Sequence, residues 1–323
     1  MARLAAVWQI TIRWYVIAVL MTGLGVLAGY LLFFNALQGR PQIGVIDIPF
    51  TIIDDDSAFF IGEMLDFVSR TDSIKAVVIK LNSPGGGVTP SEQLFLKTLN
   101  LREKKPVIVA ADQFLASGGY MMAMGANEVF VKPSSIVGSI GVRVRFGPPP
   151  APSDFEIETG PSKLTGGTER DLFGELEQLK ESFLQIVLTQ RGDRLKITPQ
   201  ELVEARTYTG LASVRLGLAD AVGNDTDAIE RAASLARISH YRLVDVNVEV
   251  QRLLFKKIIR MIEPLEPLLP TVEGAEGRGL DLEMLTSLLL SRGLGVSQGR
   301  VPPDFPIDVN LPQFFYLYAI PPR

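Results

Sequence analysis

From Trp14 to Phe34 the chain reads WYVIAVLMTGLGVLAGYLLFF, without one charged residue. A run of roughly 20 apolar residues is what a helix needs to cross a bilayer, and in lipid the backbone has little choice but a helix, because every N–H and C=O must find its partner within the segment. A cleavable leader has a shorter apolar region, about 7–15 residues, and a small-x-small cleavage site. Neither is evident, and a chain with no cysteine offers no thiol for lipidation. The run reads as a retained anchor. Arg3 and Arg13 precede it, Arg40 is the one nearby positive charge after it, and Asp54, Asp55 and Asp56 follow. That bias predicts a cytoplasmic N-terminus and a body on the extracytoplasmic side of the cell membrane, with a single pass. The expected division is a short cytoplasmic segment at 1–13, a transmembrane anchor at 14–34, a folded domain at 42–250 and an extension at 251–323.

Composition narrows the chemistry. A net charge of −4 and no cluster of Lys/Arg interleaved with aromatics argue against a nucleic-acid partner. The absence of cysteine removes thiolate catalysis and Cys-ligated metals. The single histidine, His240, stands in ISHYRLVDVNV, whose alternation reads as a late strand, so it is taken as structural. Any nucleophilic catalysis must then be activated by a lysine, a carboxylate or a metal.

Beyond the anchor, strand-like and helix-like stretches alternate. QIGVIDIP (42–49), KAVVIKL (75–81) and PVIVAA (106–111) read as strands, and SAFFIGEMLDFVSR (57–70) and 89–103 as helices. Such alternation implies right-handed crossovers and a mostly parallel sheet, an α/β fold. NEVFVKP and GSIGVRVRF read as further short strands, 168–191 as a long helix, and TPQELVEAR as a helix capped by Thr198.

Two glycine-rich loops, NSPGGG (82–87) and LASGG (115–119), each follow a strand and so fall at the same end of the sheet, where open α/β sheets carry their sites. Ser117 before Gly118-Gly119 suits either a strand-to-helix turn or a held nucleophile. Convergence of the two loops favours the second, because a carbonyl beside Ser117 would accept from the N–H of Gly118 and from that of Gly85 or Gly86, as in an oxyanion hole.

These residues resemble the signal peptide peptidase A family, membrane-anchored serine peptidases with a ClpP/crotonase-like fold. The likeness covers roughly 44–248 and rests on ordered motifs: NSPGGG, D-x-x-x-A-S-G-G-Y (112–120), SSIVGSIGV (134–142), SKLTG (162–166) and ARTYTGLASVRLGLAD (205–220). The resemblance implies a repeated ββα core, Ser117 as nucleophile, Lys163 as general base, Gly85, Gly86 and Gly118 as the oxyanion hole, and Ser139 as the residue that orients the lysine. It also implies hydrophobic peptide substrates such as remnant signal peptides, and a homo-oligomer. No cofactor and no metal are expected. Val88, Met121, Ile140 and Val142 are expected to line a groove for small or apolar side chains. Lys132, near Ser134 and Ser135, is the other lysine the sequence offers. The chain departs from the family at RVRFGPPPAPSDFEIETG (143–160), where three consecutive prolines, Pro148 to Pro150, stand in place of a short helix and strand.

From Gln251 the resemblance ends. QRLLFKKIIRMI reads as a basic amphipathic helix, suited to a membrane surface, another subunit or its own domain. The proline-rich aromatic tail from Arg300 onward either adds an edge strand to a neighbour or enters a peptide groove. Two other functions use the same residues: a non-catalytic membrane scaffold, and acyl-CoA chemistry on a crotonase-like frame.

Overall fold

The computed structural model describes residues 2–33, 40–145, 160, 167–262 and 313–317. It opens with one continuous helix, α1 (Ala2–Leu32), which starts well ahead of the apolar run. Every side chain from Trp14 to Phe33 is exposed, and Trp14–Leu32 is long and apolar enough to cross a membrane, with a mean hydropathy of 2.1. Among the described residues, none packs over this apolar surface.

The body then runs β1 (Gln42–Ile48), β2 (Ile52–Ile53), α2 (Asp55–Arg70), β3 (Ile74–Ser83), β4 (Gly85–Gly87), α3 (Val88–Arg102), β5 (Val107–Ala116), α4 (Gly118–Ala123), β6 (Glu128–Val131), β7 (Ile136–Gly138) and β8 (Arg143–Arg145). After residue 167 follow α5 (Glu169–Arg191), α6 (Pro199–Leu202), β9 (Thr207–Thr209), α7 (Gly210–Arg215), β10 (Ala221–Val222), α8 (Asp225–Leu235), β11 (Arg242–Asp245) and α9 (Val246–Ile262), and lastly β12 (Gln313–Leu317). Helix starts follow local chemistry. Asp54 with Ser57, Thr168 with Asp171, Thr198 with Glu201 and Asn224 with Asp227 each form a reciprocal capping box, satisfying two N–H donors that the first turn leaves open.

The main sheet has the order β10-β6-β5-β3-β1-β11, all parallel, with β7 added beside the second half of β5 and β9 antiparallel to β7. A smaller sheet of order β2-β4-β12-β8 lies over its carboxyl end. This is the α/β architecture with a mostly parallel sheet that the alternation predicts. The central strands are buried on both faces. Val77, Ile79 and Leu81 of β3 and Val107 and Val109 of β5 join the core beneath α2, α3 and α4. Ala76, Val78, Ile108 and Ala110 instead face α8 through Ala228 and Ala232. Near-continuous apolar runs are the sequence trace of such doubly covered strands.

One reading of the C-terminal third needs correction. The stretch around His240 is not one long strand: His240 is exposed and β11 covers only Arg242–Asp245. VNV, the continuation of that alternation, starts α9, because Val246 and Val250 lie four apart on one helical face and both are buried in the core. The basic amphipathic helix therefore begins on its own domain, against α2 and β1.

Candidate active site

Ser117 sits at the junction of β5 and α4. The first half of β5 pairs with β6, from Ile108 to Ala110, and the second half with β7, from Phe114 to Ala116. The strand changes neighbours at the exposed pair Asp112-Gln113. Asn82 holds the bend: its Oδ1 accepts the N–H of Phe114 at 2.9 Å, at the irregularity in β3 between Leu81 and Ser83. The last residue of β5, Ala116, pairs with the last residue of β7, Gly138. The two strands end together, and Ser117 and Ser139 follow in adjacent positions with φ of 52° and 55°.

Positive φ is uncommon for a residue with a side chain and costs about 1–3 kcal/mol when the surroundings impose it. Here the surroundings do. Ser117 N–H donates to Gly138 O at 2.8 Å, Met121 N–H donates to Ser117 O at 2.9 Å, and Ser139 N–H donates to Arg206 O at 2.9 Å. Ser117 takes the N-cap position of α4, yet its side chain makes no capping bond. The hydroxyl is thus not committed to holding the helix, which is what separates this serine from those that cap.

The glycine strand β4 lies directly alongside. A Cβ on Gly118 would come 3.2 Å from Gly86 N and 2.2 Å from Ser91 Oγ, and a Cβ on Gly86 would come 1.9 Å from Ile53 O. Both positions therefore exclude any side chain, and the backbones of the two loops approach as the sequence predicts. Two serines hold β4 in place. Ser83 Oγ donates to Thr51 O at 2.7 Å and accepts Gly85 N–H at 3.1 Å, while Ser91 Oγ donates to Gly87 O at 2.7 Å. With the Gly85 N–H taken by Ser83, Gly86 is the member of the pair whose amide nitrogen stands beside Gly118.

The other expected residues are placed less evenly. Lys163, with the rest of SKLTG, and Pro148 to Pro150 fall outside the described residues. Met121 and Ile140 are buried in the main core, whereas Val142 is half-buried against it. Val88 lines a cavity of about 700 Å³ between β2, α3 and α5 that also carries Asp54, Asp55, Glu92 and Glu175. Burial holds the Glu92 carboxyl above the usual carboxylate range.

Lys132, the other lysine considered, belongs to a different cluster. Its ammonium lies 2.7 Å from Asp112 and 3.8 Å from Asp225, in a smaller cavity with Asp47 and Lys80. There Lys80 is held charged above the usual lysine range by Asp225 and Asp47.

Sequence reasoning missed Asn82, Ser83 and Ser91 as positioning residues. Asn82 and Ser83 stand within NSPGGG, where the glycines drew the reading. Ser91 lies inside a helix pattern and its back-bond to a residue four earlier leaves no sequence signal. Below the site, the fully buried Tyr120 donates to Leu218 O at 2.8 Å, and burial pushes its phenol up. Asp220 ties together Arg191 at 2.8 Å, Arg194 at 3.0 Å and the N–H of Val129 at 2.7 Å.

Residues 100–146, which hold both Ser117 and Ser139, match the family described as Peptidase family S49. A protein of Methanocaldococcus jannaschii named "Putative protease MJ0651" is 31% identical over 218 residues, covering 62% of this chain and 68% of its own length. Serine protease SPPA of the Arabidopsis thaliana chloroplast is 31% identical over 204 residues, covering 59% of this chain but 30% of its own length. The matched part of the chain thus spans about a third of that longer relative. Among solved structures, a lysine-to-alanine mutant of the 1510-N membrane-bound stomatin-specific protease, in complex with a substrate peptide, superposes with a TM-score of 0.46 at 14% identity, covering 64% of this chain and 92% of that one. By sequence, the chain belongs to peptidase family S49, a family of serine proteases.

Proposed function

We propose that the protein is a membrane-anchored serine endopeptidase that cleaves hydrophobic peptides, remnant signal peptides among them, close to the bilayer. The observation that carries this reading is the strained Ser117, its hydroxyl not used as a cap, beside the paired backbone amides of Gly118 and Gly86. In this mechanism Ser117 Oγ attacks the scissile carbonyl and its proton passes to the neutral amine of Lys163. The two amides receive the oxyanion, and the protonated lysine gives its proton to the leaving amine as the acyl-enzyme forms. Water then repeats the sequence, with Lys163 as base, and frees Ser117.

The demand on Lys163 is severe, since an unperturbed lysine titrates at about 10.4 and is protonated at neutral pH. A lysine that serves as base must be desolvated until its amine is neutral, and Ser139 is proposed to orient it. Anchor orientation, with the body outside the cytoplasmic face, and assembly into a homo-oligomer belong to the same proposal. So does the division into an anchor at 14–34, a peptidase domain at 42–250 and an extension at 251–323.

The test is hydrolysis of a quenched hydrophobic peptide by the detergent-purified protein from pH 6 to 10. Cleavage that is lost in both Ser117→Ala and Lys163→Ala, with kcat/KM rising along a basic limb in the wild type, supports the dyad. An active Lys163→Ala variant would show another base at work. A correctly folded wild type that cleaves no peptide would favour the scaffold.

A further inference from the structure

The strand β12, Gln313–Leu317, comes from the far end of the sequence and is inserted at the candidate site. It pairs antiparallel with β4, Phe315 opposite Gly87, Tyr316 opposite Gly86 and Leu317 opposite Gly85. On its other edge it pairs antiparallel with β8, Gln313 opposite Arg145, Phe314 opposite Val144 and Phe315 opposite Arg143. Its backbone also lies against α3 and α4, the helices that begin at the glycine strand and at Ser117. The slot between β4 and β8 is therefore a two-edged site for an extended chain, and its floor includes the glycine whose amide stands beside Gly118.

Resting on the peptidase reading above, we propose that this segment of the protein's own chain is a tethered occupant of the peptide groove, and that a substrate enters only when β12 leaves. An open strand edge binds an extended peptide through main-chain bonds, which are indifferent to sequence, so one slot accepts tail or substrate but not both. The segment has the chemistry proposed for the substrate: from Val309 to Pro322 the sequence VNLPQFFYLYAIPP carries no charge and is rich in aromatic residues, which favour strands. Proline at 312 and at 321 and 322 brackets it; proline does not continue a ladder, which keeps the pairing stretch short. A tethered segment also competes at an effective concentration set by its linker, which gives weak pairing a measurable effect. The antiparallel register further predicts that substrate runs antiparallel to Gly85–Gly87, with its backbone opposite Gly86 at the point of attack.

The test compares the full chain with Phe315→Pro, which removes a backbone donor at the one residue paired on both edges, and with a chain ending at Pro312. Amide hydrogen exchange, read in a Ser117→Ala background, needs no catalysis. The amides of Gly86, Gly87 and Arg143–Arg145 should be protected in the full chain and should lose protection in both altered chains. With active Ser117, both alterations should raise kcat/KM for a quenched hydrophobic peptide through a lower KM, by about tenfold if the tail fills the groove nine-tenths of the time. A synthetic peptide of residues 310–320 should then inhibit the shortened chain competitively. Unchanged exchange, or an unchanged KM in both altered chains, overturns the proposal. Protection or inhibition that varies with protein concentration overturns it in favour of a tail supplied by a second copy. Exchange that changes as expected while no form cleaves any peptide supports the docking and counts against the peptidase reading alone.

Discussion

Replacing Gly118 by alanine places a Cβ 2.2 Å from Ser91 Oγ, 3.0 Å from Ser91 Cβ and 3.2 Å from Gly86 N. Ser91 is fully buried and its hydroxyl is bound to Gly87 O, so it cannot turn aside without releasing β4. Either α3 moves or that bond breaks, and both shift the Gly86 amide relative to Ser117. Overpacking of this kind costs about 1–3 kcal/mol of stability. A displaced oxyanion donor costs about 10²–10³ in kcat, or about 2.7–4 kcal/mol in the barrier. Gly118→Ala should thus remain folded, with a lower melting temperature, while kcat falls by about two to three orders of magnitude and KM changes little. Steady-state hydrolysis of a quenched peptide, run beside thermal unfolding, reads both effects. The second arm is Ser91→Ala, which removes the hydroxyl and its bond to Gly87 O while leaving Gly118 untouched, and it should lower kcat in the same direction as Gly118→Ala. A folded Gly118→Ala enzyme with wild-type kcat would refute the amide pair as the oxyanion site.

Three further outcomes follow from the geometry. Ser117→Gly should abolish cleavage yet raise stability by about 1 kcal/mol, because glycine accepts the φ of 52° without strain; a lowered denaturant midpoint would contradict it. Asp220→Asn leaves the buried Arg191 guanidinium without its charge partner and should cost about 3–5 kcal/mol in urea unfolding, a loss below about 1 kcal/mol counting against the network. The Glu92 carboxyl is held above its ordinary range by burial, so its relative contribution to stability is full below the unfolded-state value and is lost as pH rises through the folded one. Glu92→Gln should therefore raise the melting temperature at pH 7 and leave it unchanged well below the usual glutamate range, and equal shifts at both pH values would exclude the titration as the cause.

Most of the architecture was legible because 76–79 and 107–111 are uninterrupted apolar runs, the pattern of strands covered on both faces. The approach of Gly118 to the Gly85–Gly87 strand was also legible, since two glycine loops after neighbouring parallel strands have little room to do otherwise. The full length of β5 was not. Asp112 and Gln113 interrupt the apolar pattern, and nothing local reveals that the strand continues beyond them with a new neighbour. The start of α9 was hidden for a related reason: VDVNV alternates as a strand does, and only its packing on β1 and α2 selects the helix. Lys163 differs again, since its assignment comes from the order of motifs in the family and not from any pattern in the residues around it.

The edge of β1 has a consequence for how the protein is made. Beyond its pairing with β3, β1 is covered on its other side by β11, with Gln42 to Val45 opposite Arg242 to Asp245. That pairing is clasped by Asn247, which exchanges two hydrogen bonds with the backbone of Asp47, 200 residues earlier. At synthesis rates of about 5–20 residues per second, roughly 10–40 s separate the appearance of β1 from that of its clasp. Throughout that interval the first strand of the domain presents an open edge, and such edges pair readily with other chains. Completion of this edge therefore waits until β11 and Asn247 have been made, and shielding of β1 protects the nascent chain until then.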